Sequence, residues 1–230
     1  MPEDPQGLPA RKAEGQRVTP AAVLFDCDGV LADTELVVNR LVATELTARG
    51  WVMDAHEARA QFLGMAWPDI RPLVEARTGP LPVGWEDDFS HRINRMLEAE
   101  TLAIPDAIEA LHAIAARLPV AVASNSSRLE LSTKMQRLGL LEVFGERRFS
   151  FEDVPRPKPA PDIYIAAAQA CGVAPRDCMV VEDSVTGTRA GIAAGCQVLG
   201  YARDTPAAAL HRAGARPFYA MKDLPALLGL

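Results

Sequence analysis

The sequence predicts an α/β protein with a Rossmann-like parallel-sheet core and an inserted all-helical cap domain. Three observations lead there. Short apolar runs ending in polar residues recur at residues 21–26, 119–123, 178–181 and 197–201, and each reads as a buried strand. Segments of helical period lie among the later runs, at residues 107–117, 128–138, 162–170 and 185–194. Strands alternating with helices imply a parallel sheet covered on both faces. Residues 34–103 carry helical patterns without a convincing strand.

Residues 1–20, MPEDPQGLPARKAEGQRVTP, are rich in Pro, Gly and charge and hold no apolar stretch, so a flexible tail is expected there. The core is then assigned to residues 21–33 and 104–230, and the cap to residues 34–103. Within the cap one helix is expected over residues 36–49, with Asp33 or Thr34 as its N-cap. Three more are expected near residues 54–62, 68–77 and 85–100, separated by Gly64 and by a turn region at 79–84. An insert just past a strand end is placed to cover a site as a lid. In open parallel sheets that site lies beyond the carboxyl ends of the strands.

Composition narrows the function. The chain has 230 residues, 49% of them apolar, which suffices for one sizeable core with a smaller insert. The net charge of -6 is spread over interspersed acids and bases, so no basic stripe is available to neutralise a nucleic-acid backbone. No run reaches the roughly 18 apolar residues a membrane span needs, so neither nucleic acid nor membrane is an expected partner. Cys27, Cys171, Cys178 and Cys196 form no C-x-x-C pair and each lies in or beside an apolar run. They read as buried thiols of a cytoplasmic protein. The histidines at positions 56, 91, 112 and 211 are scattered over helix-like segments and suggest no shared site.

The chemistry is carried by four polar clusters. The run VLFDCDGVL at residues 23–31 leads an apolar strand into Asp26 and Asp28, which period two puts on one side of extended chain. Carboxylates this close repel unless a cation or a proton is shared. A divalent metal on one and an acid/base role for the other resolves the conflict; a strand followed by an Asp-Gly turn is the plainer alternative. The run VAVASNS at residues 120–126 ends a strand at Ser124, where backbone N–H groups just beyond could hold an anion, although Ser-Asn-Ser is also ordinary turn and cap chemistry. In RPKPAPD, residues 156–162, prolines restrict the backbone around Lys158, the only lysine between Lys134 and Lys222. That favours an ammonium held beside a phosphate, or simply a rigid surface connection. The run MVVEDSVTG at residues 179–187 delivers Glu182 and Asp183, hard oxygen ligands of the kind magnesium prefers, with Asp183 or Ser184 also able to cap the following helix. All four clusters fall at the carboxyl end of a predicted strand or in the loop leading from one. Unrelated turns would rarely supply a nucleophile pair, a hydroxyl, a lysine and a carboxylate pair in that arrangement.

With these motifs in this order, DCDGVLADTE at residues 26–35, Ser124, Lys158 and EDSVTG at residues 182–187, the chain resembles the haloacid dehalogenase superfamily of phosphatases and phosphomutases. The likeness spans about residues 21–220 and falls in the branch with a helical cap after the first motif. The resemblance implies that Asp26 attacks phosphorus to form an aspartyl-phosphate, while Asp28 protonates the leaving oxygen and then activates water. It implies Mg2+ on the Asp26 carboxylate, the Asp28 backbone carbonyl and Asp183, with Glu182 assisting directly or through water. Ser124, Asn125 and Lys158 would hold the phosphoryl oxygens.

Asp28 and the Glu182–Asp183 pair argue against dehalogenation, which in this superfamily needs neither the second aspartate nor magnesium. Phosphonate hydrolysis needs a cap lysine, and residues 34–103 contain none. Beta-phosphoglucomutase is the closest rival, with a lysine and an arginine in its cap; here Arg71, in the run GMAWPDIR at residues 64–71, is the candidate substrate contact. The FDCDGVL and VASNSS segments look more like the sugar-phosphate phosphatases of this branch, including those acting on 6-phosphogluconate. The expected function is therefore hydrolysis of a small phosphorylated metabolite, a sugar phosphate, with Mg2+ as cofactor. The alternatives are a phosphomutase and a phosphate-binding regulatory protein that has lost turnover.

Overall fold

The computed structural model describes residues 19–230; residues 1–18 of the expected tail lie outside the described residues. From its first strand the chain runs β1 (Ala22–Phe25), β2 (Ala32–Asp33), α1 (Glu35–Ala48), α2 (Ala55–Phe62), α3 (Trp67–Thr78), α4 (Trp85–Glu100) and β3 (Leu102–Ala103). It continues through α5 (Ala107–Ala115), β4 (Val120–Ala123), α6 (Arg128–Arg137), α7 (Leu141–Phe144), β5 (Arg148–Phe149) and α8 (Asp162–Ala170). The last elements are β6 (Cys178–Glu182), α9 (Val185–Ala193), β7 (Gln197–Tyr201), α10 (Ala207–Ala213), β8 (Arg216–Phe218) and α11 (Leu224–Leu227).

Six strands form one sheet in the order β5-β4-β1-β6-β7-β8, with every pairing parallel. The alternation of side chains explains why the sheet is buried on both faces. Val23 and Phe25 of β1, Val120 and Val122 of β4, and Met179 and Val181 of β6 point into one apolar cluster with Leu111 and Ile114 of α5 and Met135 of α6. Their neighbours Leu24, Ala121, Ala123 and Val180 point the other way, against Ile163, Tyr164 and Ala167 of α8 and Ala190 of α9. A one-residue slip would exchange the two sets, and since both are apolar it is their different sizes that fix the register.

The helices α1–α4 leave and rejoin the core through β2 and β3, which pair antiparallel with Ala32 opposite Ala103 and Asp33 opposite Leu102. These helices bury apolar clusters of their own, one around Ala43, Leu46, Phe62 and Val74 and another around Phe89, Ile93 and Leu97. At the start of α2, Asp54 and Glu57 satisfy each other's backbone N–H groups in a capping box. The β2–β3 pair is not expected from the sequence, which reads residues 34–103 as free of strands, and neither are β5 and β8 of the six-stranded sheet. Each of the latter two is an edge strand of two or three residues carrying arginine, and β8 also carries Pro217, a residue tolerated only where a ladder donor is not needed. Among the described residues, no helix is long and apolar enough to cross a membrane.

Candidate active site

The register brings three strand ends to one level: Phe25 lies opposite Val122 of β4 and Val181 of β6. The residues just beyond, Asp26, Ser124 and Asp183, are therefore neighbours although far apart in sequence. Asp26 remains in the ladder through its N–H, which donates to the Val181 carbonyl at 2.9 Å. The chain then turns sharply at Gly29, whose φ is +75°. A Cβ at Gly29 would also lie 2.1 Å from Asp183 Oδ2, so both the conformation and the close approach of that carboxylate call for glycine.

The first group of the site is built around Lys158. Its Nζ donates to Asp26 Oδ1 at 2.7 Å, to Glu182 Oε1 at 2.8 Å and to the Ala123 carbonyl at 2.9 Å, and it is only 3% exposed. It also stands 4.8 Å from the centroid of the Tyr164 ring. Burial works against the Lys158 charge, yet Asp26 and Glu182 outweigh it and keep the ammonium well above its ordinary value. Burial pushes the Asp26 carboxyl up, Lys158 pulls it down, and Glu182 and Asp28 push again, leaving it at about 7. Prolines on either side hold the lysine loop, as the sequence suggested for Pro157 and Pro159.

Glu182 is wholly buried and saturated. Oε1 accepts from Lys158 and from the Tyr164 hydroxyl, and Oε2 accepts from the Asp183 and Ser184 N–H groups and the Ser184 hydroxyl. Ser184 in turn accepts from Gly187 N–H at 2.9 Å and caps α9. Carboxylate oxygens of Asp26, Glu182 and Asp183 lie within 4.8 Å of one another, close enough to hold a metal ion. The donors are all hard oxygens, a set suited to magnesium and not to a thiophilic metal. Because the Glu182 oxygens already serve five donors, Asp26 and Asp183 are the better-placed ligands.

The second group surrounds Asp28. Lys134 Nζ lies 2.7 Å from Oδ1 and 2.6 Å from Oδ2, and it also donates to Ser126 Oγ at 2.6 Å. The hydroxyls of Ser124 and Ser126 donate to Oδ2 at 3.2 and 3.0 Å. Thr34 donates to Oδ1, and for that reason it precedes α1 without making a side-chain cap bond to it. Burial alone would raise the Asp28 carboxyl, but the Lys134 charge and the bonds from Lys134, Thr34 and Ser126 hold it below its ordinary value.

The remaining sequence candidates are placed differently. Asn125 spends its side chain on backbone: Nδ2 donates to the carbonyls of Gly64 and Lys158, and Oδ1 accepts from Lys158 N–H. It ties the lysine loop to the α2–α3 connection and lines the cavity beside Ser124. Arg71 does not line the cavity. It is exposed and paired with Glu75 at 3.3 Å and Glu86 at 2.8 Å, outside the lining where the sequence leads one to expect a substrate contact.

Both groups form the floor of a cavity of about 370 Å³ between the strand ends and α1–α4. Three aromatic side chains, Trp67, Trp85 and Phe89, face it from α3 and α4. Trp67 and Trp85 stack at 5.8 Å, Trp85 and Phe89 at 4.6 Å. Thr34, Ser126 and Lys134, which hold Asp28, are not among the residues that motif and spacing point to. The signal for Lys134 was there: it stands between Leu131 and Met135 on the buried stripe of α6, where a lysine needs a partner.

The sequence model of the haloacid dehalogenase-like hydrolases matches residues 20–195. The 6-phosphogluconate phosphatase of Escherichia coli is 34% identical over 80% of this chain and 83% of its own. Hexitol phosphatase A of the same organism is 33% identical over 76% of this chain and 80% of its own. A solved HAD family hydrolase of Deinococcus radiodurans, with bound phosphate and sodium, superposes with a TM-score of 0.72 at 35% identity, covering 92% of this chain and 96% of that one.

Proposed function

The chain belongs to the haloacid dehalogenase-like hydrolase family, and from that premise we propose that it is a magnesium-dependent phosphatase releasing phosphate from a small sugar phosphate. The observation that carries the reading is the division of two carboxylates, Asp26 and Asp28, between two separate lysines at the end of one strand. Asp26 supplies the nucleophile and Asp28 the acid and base. A sugar phosphate is favoured because the relatives named above are phosphatases of 6-phosphogluconate and hexitol phosphates.

In the first half-reaction an Asp26 oxygen bonds to phosphorus as the ester oxygen leaves with the bonding pair, and Asp28, which Lys134 holds ionised in the free site and which therefore takes up a proton as the substrate binds, gives that oxygen the proton. Lys158 remains against Asp26 while charge builds on the phosphoryl group. In the second, water gives its proton to Asp28 and its oxygen to phosphorus, the Asp26–phosphorus bond breaks, and inorganic phosphate departs. Asp26 and Asp183 with the Asp28 backbone carbonyl would hold magnesium, which supplies charge neutralisation between the phosphate and Asp26. Glu182 keeps Lys158 in place from behind, and the helices α1–α4 act as a cap that excludes water.

The test is phosphate release from a panel of sugar and polyol phosphates and p-nitrophenyl phosphate, with magnesium and with excess chelator. Release that needs magnesium is expected. No release from any ester, or full release in chelator, would overturn the reading.

A further inference from the structure

Resting on that reading, we infer that the leaving group carries no anionic substituent of its own: the enzyme takes an uncharged, hydroxyl-bearing skeleton with an apolar face, a neutral sugar or polyol, and discriminates against sugar acids and bisphosphates. Three independent features of the cavity support this.

The first is where the cations are. Among the described residues lining the cavity, Lys134 and Lys158 are the only basic side chains, and both stand at the floor, each against a carboxylate of the reaction site. The cap contributes none. Its nearby arginines are engaged elsewhere and do not line the cavity: Arg71 with Glu75 and Glu86, Arg92 with Glu45 and Asp88, and Arg49 with the Pro80 carbonyl beside the Trp85 ring.

The second is what the cap presents instead. Glu45, Glu86 and Asp87 line it, while the Arg92 and Arg71 partners of Glu45 and Glu86 stay outside the lining, so a carboxylate or second phosphate on the leaving group would meet acids before any cation. Removing an anion from water into such surroundings is unfavourable twice over, through lost hydration and through like-charge repulsion.

The third is the aromatic wall. Trp67, Trp85 and Phe89 offer flat apolar area against which the carbon–hydrogen face of a sugar or polyol can lie. The indole N–H of Trp67 is buried and has no hydrogen-bond partner, an unmet donor suited to a hydroxyl oxygen of the leaving group.

The experiment uses a matched pair. Sorbitol 6-phosphate and 6-phosphogluconate differ only at the far end of the chain, a hydroxymethyl group in one and a carboxylate in the other. Phosphate release with magnesium should give a kcat/KM at least about tenfold higher for the polyol, a difference of about 1.4 kcal/mol in barrier. Fructose 1-phosphate should exceed fructose 1,6-bisphosphate in the same way. Replacing two cap acids, Glu86→Gln with Asp87→Asn, should narrow both ratios by raising kcat/KM for 6-phosphogluconate and fructose 1,6-bisphosphate. Equal or better use of 6-phosphogluconate by the wild-type enzyme overturns the inference and leaves the phosphatase reading standing. If no ester is turned over, the phosphatase reading falls, and binding decides the inference: quenching of tryptophan fluorescence at lower concentration by sorbitol 6-phosphate supports it, and at lower concentration by 6-phosphogluconate overturns it.

Discussion

Lys134 Nζ spans both oxygens of Asp28, at 2.7 and 2.6 Å, from a position on α6 that is 2% exposed. The contact fixes the plane of the carboxylate that the proposed reaction needs for proton transfer, and it makes Lys134 a positioning residue of the site.

Lys134→Met should therefore lower kcat by about 10- to 100-fold, while KM moves by less than about threefold because the phosphate is still met by Lys158. The stability cost should be about 3 kcal/mol, at the low end for breaking a buried ion pair, since a third of the Asp28 side chain is exposed. Lys134→Arg should recover part of kcat. A Lys134→Met enzyme with wild-type kcat would show that Asp28 needs no such support.

Asp26→Asn should abolish turnover by at least about 10³-fold, roughly 4 kcal/mol of barrier, with little change in thermal stability. An amide is a poor nucleophile, but it keeps the shape and leaves Lys158 paired with Glu182. Asp28→Asn should also be strongly impaired, because both half-reactions pass a proton through it. Activity within about tenfold of wild type for Asp26→Asn would exclude it as the nucleophile.

Metal binding should depend on pH in a defined direction. With the Asp26 carboxyl raised to about 7, a proton must leave below that pH before the group can act as a ligand. Apparent magnesium affinity should therefore fall by up to about tenfold for each pH unit below about 7 and level off above it. Magnesium titrations followed by thermal shift between about pH 5.5 and about pH 8 measure this. A flat affinity across that window would remove Asp26 from the ligand set.

Gly187→Ala tests the geometry behind Lys158. A Cβ there would fall 1.5 Å from Glu182 Oε1, inside the fully occupied carboxylate, so the whole Lys158–Glu182–Tyr164 group must shift. We expect a loss of about 3 kcal/mol, the upper range for overpacking, or about 6–12 °C in Tm for a chain of this size. A Tm unchanged by the substitution would contradict the placement of Glu182.

The strands that hold the site were legible because they are apolar on both faces: the runs at residues 178–181 and 197–201 correspond closely to Cys178–Glu182 and Gln197–Tyr201. The helices from Trp85 and from Asp162 were equally clear, since their apolar spacing is regular. Arg148–Phe149 and Arg216–Phe218 were not, because edge pairing of two or three residues leaves no pattern to read. Asp26, Ser124 and Asp183 stand out by residue type just past strand ends, and Lys158 by the prolines on either side of it. Lys134 lies mid-helix, and only folding shows that its stripe faces Asp28. Residue type does not show how a polar side chain near a site is used: Asn125 lines the cavity but bonds backbone, and Arg71 pairs with neighbouring acids.

The last prediction separates hydrolysis from phosphoryl migration. A mutase must keep water from the aspartyl-phosphate while a bisphosphate intermediate turns over, and its cap must grip the phosphate at the far end of the sugar. That grip calls for a cation in the cap part of the cavity. Here the lining contributed by α1–α4 holds Glu45, Glu86 and Asp87 but no basic side chain among the described residues. Arg71, the best candidate from the sequence, is committed to Glu75 and Glu86. A sugar bisphosphate could then place one phosphate at Lys158 but would have its other phosphate beside acids, so reorientation between the two ends is disfavoured. We expect incubation with beta-glucose 1-phosphate, magnesium and a trace of glucose 1,6-bisphosphate to yield free phosphate, or nothing, and no excess of glucose 6-phosphate. Formation of glucose 6-phosphate much faster than phosphate would show that the cap grips a second phosphate after all, and would replace the phosphatase reading by a mutase.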